Sequence, residues 1–118
     1  MTDFFYTLAA AEQGMGWTKG KQFEIGVRPN LTRFIRLLPS GAEWHPITSE
    51  ADCWALLDQV QRRHRPWRFS LTGGDSQMTP RWLAEIFAED NSVTYASVHN
   101  AVRTRAITIA ICRALGLE

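Results

Sequence analysis

The residues best suited to binding chemistry lie between positions 62 and 68, where Arg62, Arg63, His64, Arg65 and Arg68 surround Trp67. Guanidinium groups pair with phosphate and an indole stacks on bases, so this interleaving is compatible with a nucleic-acid contact. The same residue types form hot spots against acidic protein surfaces. A plainer reading is a solvated helix end, where cations complement the negative pole of the helix. A second candidate is Glu43-Trp44-His45, set among Pro39, Gly41 and Pro46 in what reads as a surface loop. There Trp44 either anchors a partner or tucks over the core. Arg28, Arg33 and Arg36 precede it and could add a positive face.

Catalytic patterns are harder to find. His45, His64 and His99 are far apart, and none has a Cys or acidic residue at metal-ligand spacing, so no metal is expected. Cys112 sits in Ile-Ala-Ile-Cys-Arg-Ala and Cys53 among the apolar residues of another helical stretch. Both read as buried thiols of a reducing compartment rather than as a nucleophile or a disulfide. Gly73-Gly74 lacks the further glycines, lysine and hydroxyl of a phosphate loop. Glu43, Glu50 and Asp52 are accounted for by capping and solubility. The expectation is therefore a protein without cofactor and without enzymatic activity.

The 118 residues suffice for one domain, residues 1–118, with a core of its own. Hydrophobic residues make up 45% and charged ones 21%, the proportions of an ordinary globular chain. The net charge is +1, divided as −2 over residues 1–59 and +3 over 60–118, too little to select a polyanion by charge alone. No basic leader precedes the first apolar run, and no run approaches the ~20 residues that span a bilayer. A cytoplasmic protein with no membrane partner is expected.

These candidates must be positioned by regular elements. Thr2 or Asp3 can cap a helix that runs to Gly14, with its face set by Phe4, Leu8 and Ala11 or by Phe5, Leu8 and Glu12. Phe23, Ile25 and Val27 alternate with polar residues, and Pro29-Asn30 is a turn signal, so residues 23–28 and 32–38 form a hairpin. Ser49 caps a helix with Ala51, Cys53, Trp54, Leu56, Leu57 and Val60 on its buried face, and Pro66 ends it. Trp67, Phe69 and Leu71 alternate as a strand, closed by a turn at Gly73-Gly74-Asp75. Residues 79–88 are ambiguous. Thr79-Pro80 resembles a helix start, whereas Trp82, Ala84, Ile86 and Ala88 line one strand face; the strand, paired through a loop at 89–92 with 93–98, is the preferred reading. The last stretch, 100–116, has the clearest helical pattern, with Val102, Ala106, Ile109, Ala110 and Arg113 on one side. Clustered hairpins and three apolar-faced helices predict an α+β fold: a mainly antiparallel sheet of about four to five strands covered by three helices, α/β/α sandwich-like. Edges at 23–28 or 93–98 could support a homodimer.

Three segments resemble the phage ABA (α-β-α) sandwich domain family of small phage and prophage proteins. They are Leu8-Ala9-Ala10-Ala11-Glu12-Gln13-Gly14-Met15-Gly16-Trp17, Ile47-Thr48-Ser49-Glu50-Ala51-Asp52-Cys53-Trp54-Ala55-Leu56-Leu57, and Ala106-Ile107-Thr108-Ile109-Ala110-Ile111-Cys112-Arg113-Ala114-Leu115. The resemblance covers the two ends and the middle helix, and residues 18–46 fall outside it. It implies a sandwich fold and a viral origin and assigns no catalytic residue.

The expected function is a protein-binding module of a phage or prophage acting in the bacterial host cytoplasm. One version is an anti-CRISPR-like inhibitor of a defence system. The alternative is a nucleic-acid-binding accessory protein. Arg62, Arg63, Arg65, Trp67, Arg68, Trp44, Arg33 and Arg36 are the candidate contact residues.

Overall fold

The structure, a computed structural model, describes residues 2–64, 67–74 and 81–117. Arg65, the expected stop at Pro66, the turn residue Asp75 and the expected cap Thr79-Pro80 lie outside the described residues.

Helix α1 (Asp3–Ala9) starts where the Thr2 hydroxyl accepts from the Phe5 amide at 3.2 Å, and a π-helical turn (Ala10–Gly14) extends it. Its buried face is Tyr6, Thr7, Ala10 and Ala11, whereas Phe4, Phe5 and Leu8 are only half-buried; the expected face was rotated by about one residue. The chain then reverses at Gly16, whose φ of +73° favours glycine.

The predicted hairpin forms from β1 (Phe23–Val27) and β2 (Arg33–Leu37), with Phe23 opposite Leu37 and Val27 opposite Arg33. The expected loop at 39–47 contains a third strand, β3 (Glu43–Trp44), which pairs with β2 through Ile35 and Arg36. Helix α2 (Glu50–Arg63) begins at Ser49, whose hydroxyl accepts from Asp52, with Glu50 and Asp52 at its positive end. Cys53, Leu56, Leu57 and Val60 form its buried stripe. Trp54 and Ala51, expected there, are exposed. The Trp54 indole lies beside the stripe, donates to Glu50 at 2.9 Å and packs edge-on against Phe69.

Within the ambiguous stretch, the described residues 81–87 form a strand. Strands β4 (Arg68–Gly74), β5 (Arg81–Phe87) and β6 (Thr94–Asn100) make a second antiparallel sheet in the order β4-β5-β6. Gly73 and Gly74, expected as a turn, belong to β4, and the Trp82 ring of β5 lies against Gly73.

The α+β class holds, but the single sheet of four to five strands does not: there are two three-stranded antiparallel sheets. Each is assembled from neighbours in sequence, and no ladder joins β3 to β4 among the described residues.

Helix α3 (Arg103–Ala114) is the centre of the core. One side packs on β5 and β6, the other on α1, the π turn and α2. Thr104 and Ala106 through Cys112 are therefore buried nearly all round. Val102 and Arg113, expected on the buried side, are exposed. Ala84, Ile86, Ala96 and Val98 fill the sheet face below α3. The opposite face of that sheet carries exposed Arg68, Thr72, Arg81, Ser97 and His99, so the helices do not flank it on both sides.

The polar groups of α3 are satisfied, as burial requires. Thr104 donates to the Ile47 carbonyl, and Thr108 donates to the Thr104 and Pro46 carbonyls at 2.9 and 3.3 Å. The Cys112 thiol faces the Tyr6 carbonyl at 3.5 Å. Burial pushes the Cys53 thiol up to about 11, and Cys112 is a buried free thiol as well. No helix among the described residues is long and apolar enough to cross a membrane.

Candidate functional site

The two candidate groups separate in the folded chain. In the first, around positions 62–68, the cations point to different tasks. Arg62 pairs with Asp58 one turn earlier, at 3.1 Å on an open surface. Arg63 turns back and donates to the Gln13 and Gly14 carbonyls at 3.1 and 2.9 Å, satisfying acceptors left open at the end of the π turn. A Cβ at Gly16 would sit 2.7 Å from the same guanidinium, so Gly16 and Arg63 form one joint. Arg68 reaches the Glu89 carbonyl at 3.4 Å. Trp67 is stacked on His64 at 4.8 Å and tilted against Tyr95 at 5.7 Å. Arg65 lies outside the described residues. The described members do not converge on one ligand-sized face.

The second group does converge, at the β1–β2 hairpin. Alternation puts Phe23, Ile25, Ile35 and Leu37 on the core face and Glu24, Gly26, Phe34 and Arg36 on the other. Gly26 admits the Phe34 ring across its strand, because a Cβ there would lie 2.3 Å from the ring. Two guanidiniums cover that ring, Arg28 at 4.4 Å and Arg36 at 5.3 Å from its centroid. Arg36 also pairs with Glu24 across the strands at 2.8 Å. Glu43 accepts from Arg28 and lies 2.8 Å from the His45 ring. The Arg28 guanidinium, then His45, hold the Glu43 carboxyl below its ordinary 4.5. Arg33 lies over the Phe4 ring at 4.5 Å, and no carboxylate pairs with it among the described residues.

Phe4 of α1, Arg28, Arg33 and Phe34 of the hairpin, and His45 and Thr48 border a cleft of about 200 Å³. Trp44 does not take part as an exposed anchor. It is 3% exposed, on the core side of β3, edge-on to Trp17 at 4.9 Å. Its neighbours Glu43 and His45 contribute instead.

The hairpin tip adds a residue that the sequence reading passed over. Leu31 is 81% exposed and has a φ of +67°, a conformation that costs a leucine about 1 kcal/mol. It is held there by three hydrogen bonds: Arg28 N to Thr32 O at 2.9 Å, Leu31 N to Arg28 O at 2.9 Å, and Thr32 N to Asn30 Oδ1 at 3.1 Å. Val27, also exposed, stands nearby at the end of β1. An apolar residue directly after the turn pair Pro29-Asn30 is the signal that could have drawn attention to it. The tip is thus an ordered turn presenting apolar surface, flanked by Arg28, which pairs with Glu43, and Arg33, which has no carboxylate partner among the described residues. It can insert an aliphatic side chain into a pocket and offer a cation beside it.

No protein-family model, no curated protein and no solved structure matches the chain.

Proposed function

We propose that this chain is a non-enzymatic protein-binding module that docks through the β1–β2 hairpin. Leu31 is the anchor, with Val27 beside it and Arg33 at the rim. The observation carrying this reading is Leu31 itself: a strained leucine, 81% exposed, on a hydrogen-bonded turn. A glycine or asparagine would suit that backbone better and leave no apolar group in water. Its partner is a protein surface with an apolar pocket next to a carboxylate that pairs with Arg33. The resemblance of the helices to the phage sandwich family supports placing that partner in a bacterial host, with a defence complex as the specific version.

Support for the nucleic-acid alternative is weaker, since Arg63 is occupied within the fold and Trp67 is partly covered by His64 and Tyr95. Co-purification from bacterial cells at near-physiological salt separates the two. The docking reading expects a stoichiometric protein, lost on Leu31→Asn and kept on Arg62→Glu/Arg68→Glu. Nucleic acid retained by the wild type and released by the double variant would replace it with the alternative.

A further inference from the structure

The cleft between α1 and the β1–β2 hairpin has an interior of its own, separate from the tip that carries Leu31. Its volume of about 200 Å³ lies below the ~300 Å³ at which pockets for drug-sized molecules begin, so its occupant has one ring or a short chain. Phe4, Phe34 and Ile47 supply the apolar part of its lining. Phe34 and Ile47 are 8% and 6% exposed, so these two walls are fixed by packing. Leu31 and Val27 do not border it.

The charges around this cleft leave one cation over. Asp3 is paired with Arg105 at 3.0 Å, and Glu43 with Arg28 and with His45. Arg33 has neither an ion pair nor a hydrogen bond among the described residues. Its guanidinium rests over the Phe4 ring, 4.5 Å from the centroid, which keeps it at the border of the cleft. A guanidinium held in this way is a planar fork that matches a carboxylate. Two hydroxyls are open as well. Those of Thr32 and Thr48 have no hydrogen-bond partner among the described residues, whereas the Thr7 hydroxyl already donates to the Asp3 carbonyl at 2.9 Å. A single uncompensated cation suits a monoanion; a phosphate dianion would keep a second charge without a partner against apolar walls.

We infer that this cleft binds a small monocarboxylate with a compact apolar body. The carboxylate pairs with Arg33, and the Thr32 and Thr48 hydroxyls donate to its remaining lone pairs. The apolar body lies against Phe4, Phe34 and Ile47. Arg28 stays with Glu43 and forms a wall without taking the ligand's charge. A neutral molecule of the same shape gains the apolar contact alone. This ligand shares only Arg33 with the protein partner of the hairpin tip, so a bound carboxylate excludes the partner's own from that guanidinium.

The test is a titration of the whole chain with benzoate, followed by amide NMR, with benzamide, acetate and inorganic phosphate as parallel probes. Benzoate should saturate with a Kd on the order of 1 mM, in keeping with so small a ligand. The amides of Thr32, Arg33, His45 and Thr48 should shift together. Benzamide keeps the shape without the charge, and acetate keeps the charge without the body. Each should bind at least ~10-fold more weakly, and phosphate should also bind more weakly than benzoate. Arg33→Gln should weaken benzoate binding ~10-fold or more with the melting temperature little changed, because Arg33 is exposed and holds no backbone group. Leu31→Asn should bind benzoate as the wild type does, which separates this site from docking through the tip. Benzoate that does not saturate, or shifts that centre on other arginines, overturns the proposal. So does benzamide, acetate or phosphate binding as tightly as benzoate, or Arg33→Gln keeping the wild-type affinity.

Discussion

The sheet of β4, β5 and β6 turns Ala84, Ile86, Ala96 and Val98 onto α3, while the sheet of β1, β2 and β3 ends in a tip that leaves Val27 and Leu31 in water. Both are three-stranded and antiparallel and both bury an apolar face, with Phe23, Ile35 and Trp44 in the hairpin sheet; the hairpin sheet differs in its tip, where an apolar side chain is held in water on a positive-φ backbone. On the α3 side, even hydroxyls and thiols are absorbed: Thr104, Thr108 and Cys112 all find backbone carbonyls. On the hairpin side, cations sit over the Phe4 and Phe34 rings, and a leucine occupies a backbone conformation that disfavours it. The first arrangement yields stability. The second spends some of it on a surface, the usual mark of a binding site.

Substitutions can break this contrast. The largest effect should come from Ile111→Ala. Ile111 is fully buried in α3, and truncation should cost about 3 kcal/mol in a denaturant titration. A loss of the same size from Leu31→Asn would erase the difference between the two sheets. Instead, Leu31→Asn should raise stability by about 0.5–1 kcal/mol, since asparagine tolerates positive φ. Val102→Asp should add about 1 kcal/mol by capping α3. Neighbouring arginines sharpen the contrast further. Arg63→Ala should cost about 1 kcal/mol through its two carbonyl contacts. Arg62→Ala should cost under ~0.5 kcal/mol, because its pair with Asp58 is more than half exposed on both sides.

The smallest effect concerns pH. The folded carboxyl of Glu43 titrates below its ordinary 4.5, so its interactions are present above that value and fade as the pH falls through the lowered one. Glu43→Gln should therefore be less stable than wild type at neutral pH, with the gap closing in acid. Denaturation midpoints across the acid range would show a constant gap if Arg28 and His45 did not favour the charged form.

Much of the α3 half was legible in the sequence. Ala106 through Cys112 has helical periodicity, Ser49 marks a cap, and alternation at 82–88 outweighed the helical signals at 83–85. The arrangement of strands was not legible. β3 is only two residues long, too short for a period, and alternation does not reveal that β3 and β4 belong to separate sheets. Trp54 misled because it shares the helical spacing of Leu57 and Val60, while its indole satisfies itself on Glu50. Trp44 had two open readings and took the core one. At the site, Arg33 and Arg36 were visible as positive charges, but their stacking on Phe4 and Phe34 depends on Gly26 and on the approach of α1. Leu31 was missed because the sign of φ is set by the hydrogen-bonded turn rather than by the leucine.

The most direct test of the docking account is calorimetric titration of the co-purified partner with wild type, Leu31→Asn and Val102→Asp. Loss of an anchor worth about 2 kcal/mol weakens binding roughly 30-fold, and this is the change expected for Leu31→Asn, with its fold intact. Val102→Asp, at the N-cap of α3 and away from the hairpin, should bind as the wild type does. If Leu31→Asn binds the partner as tightly as the wild type, the hairpin is not the docking surface and the account is contradicted.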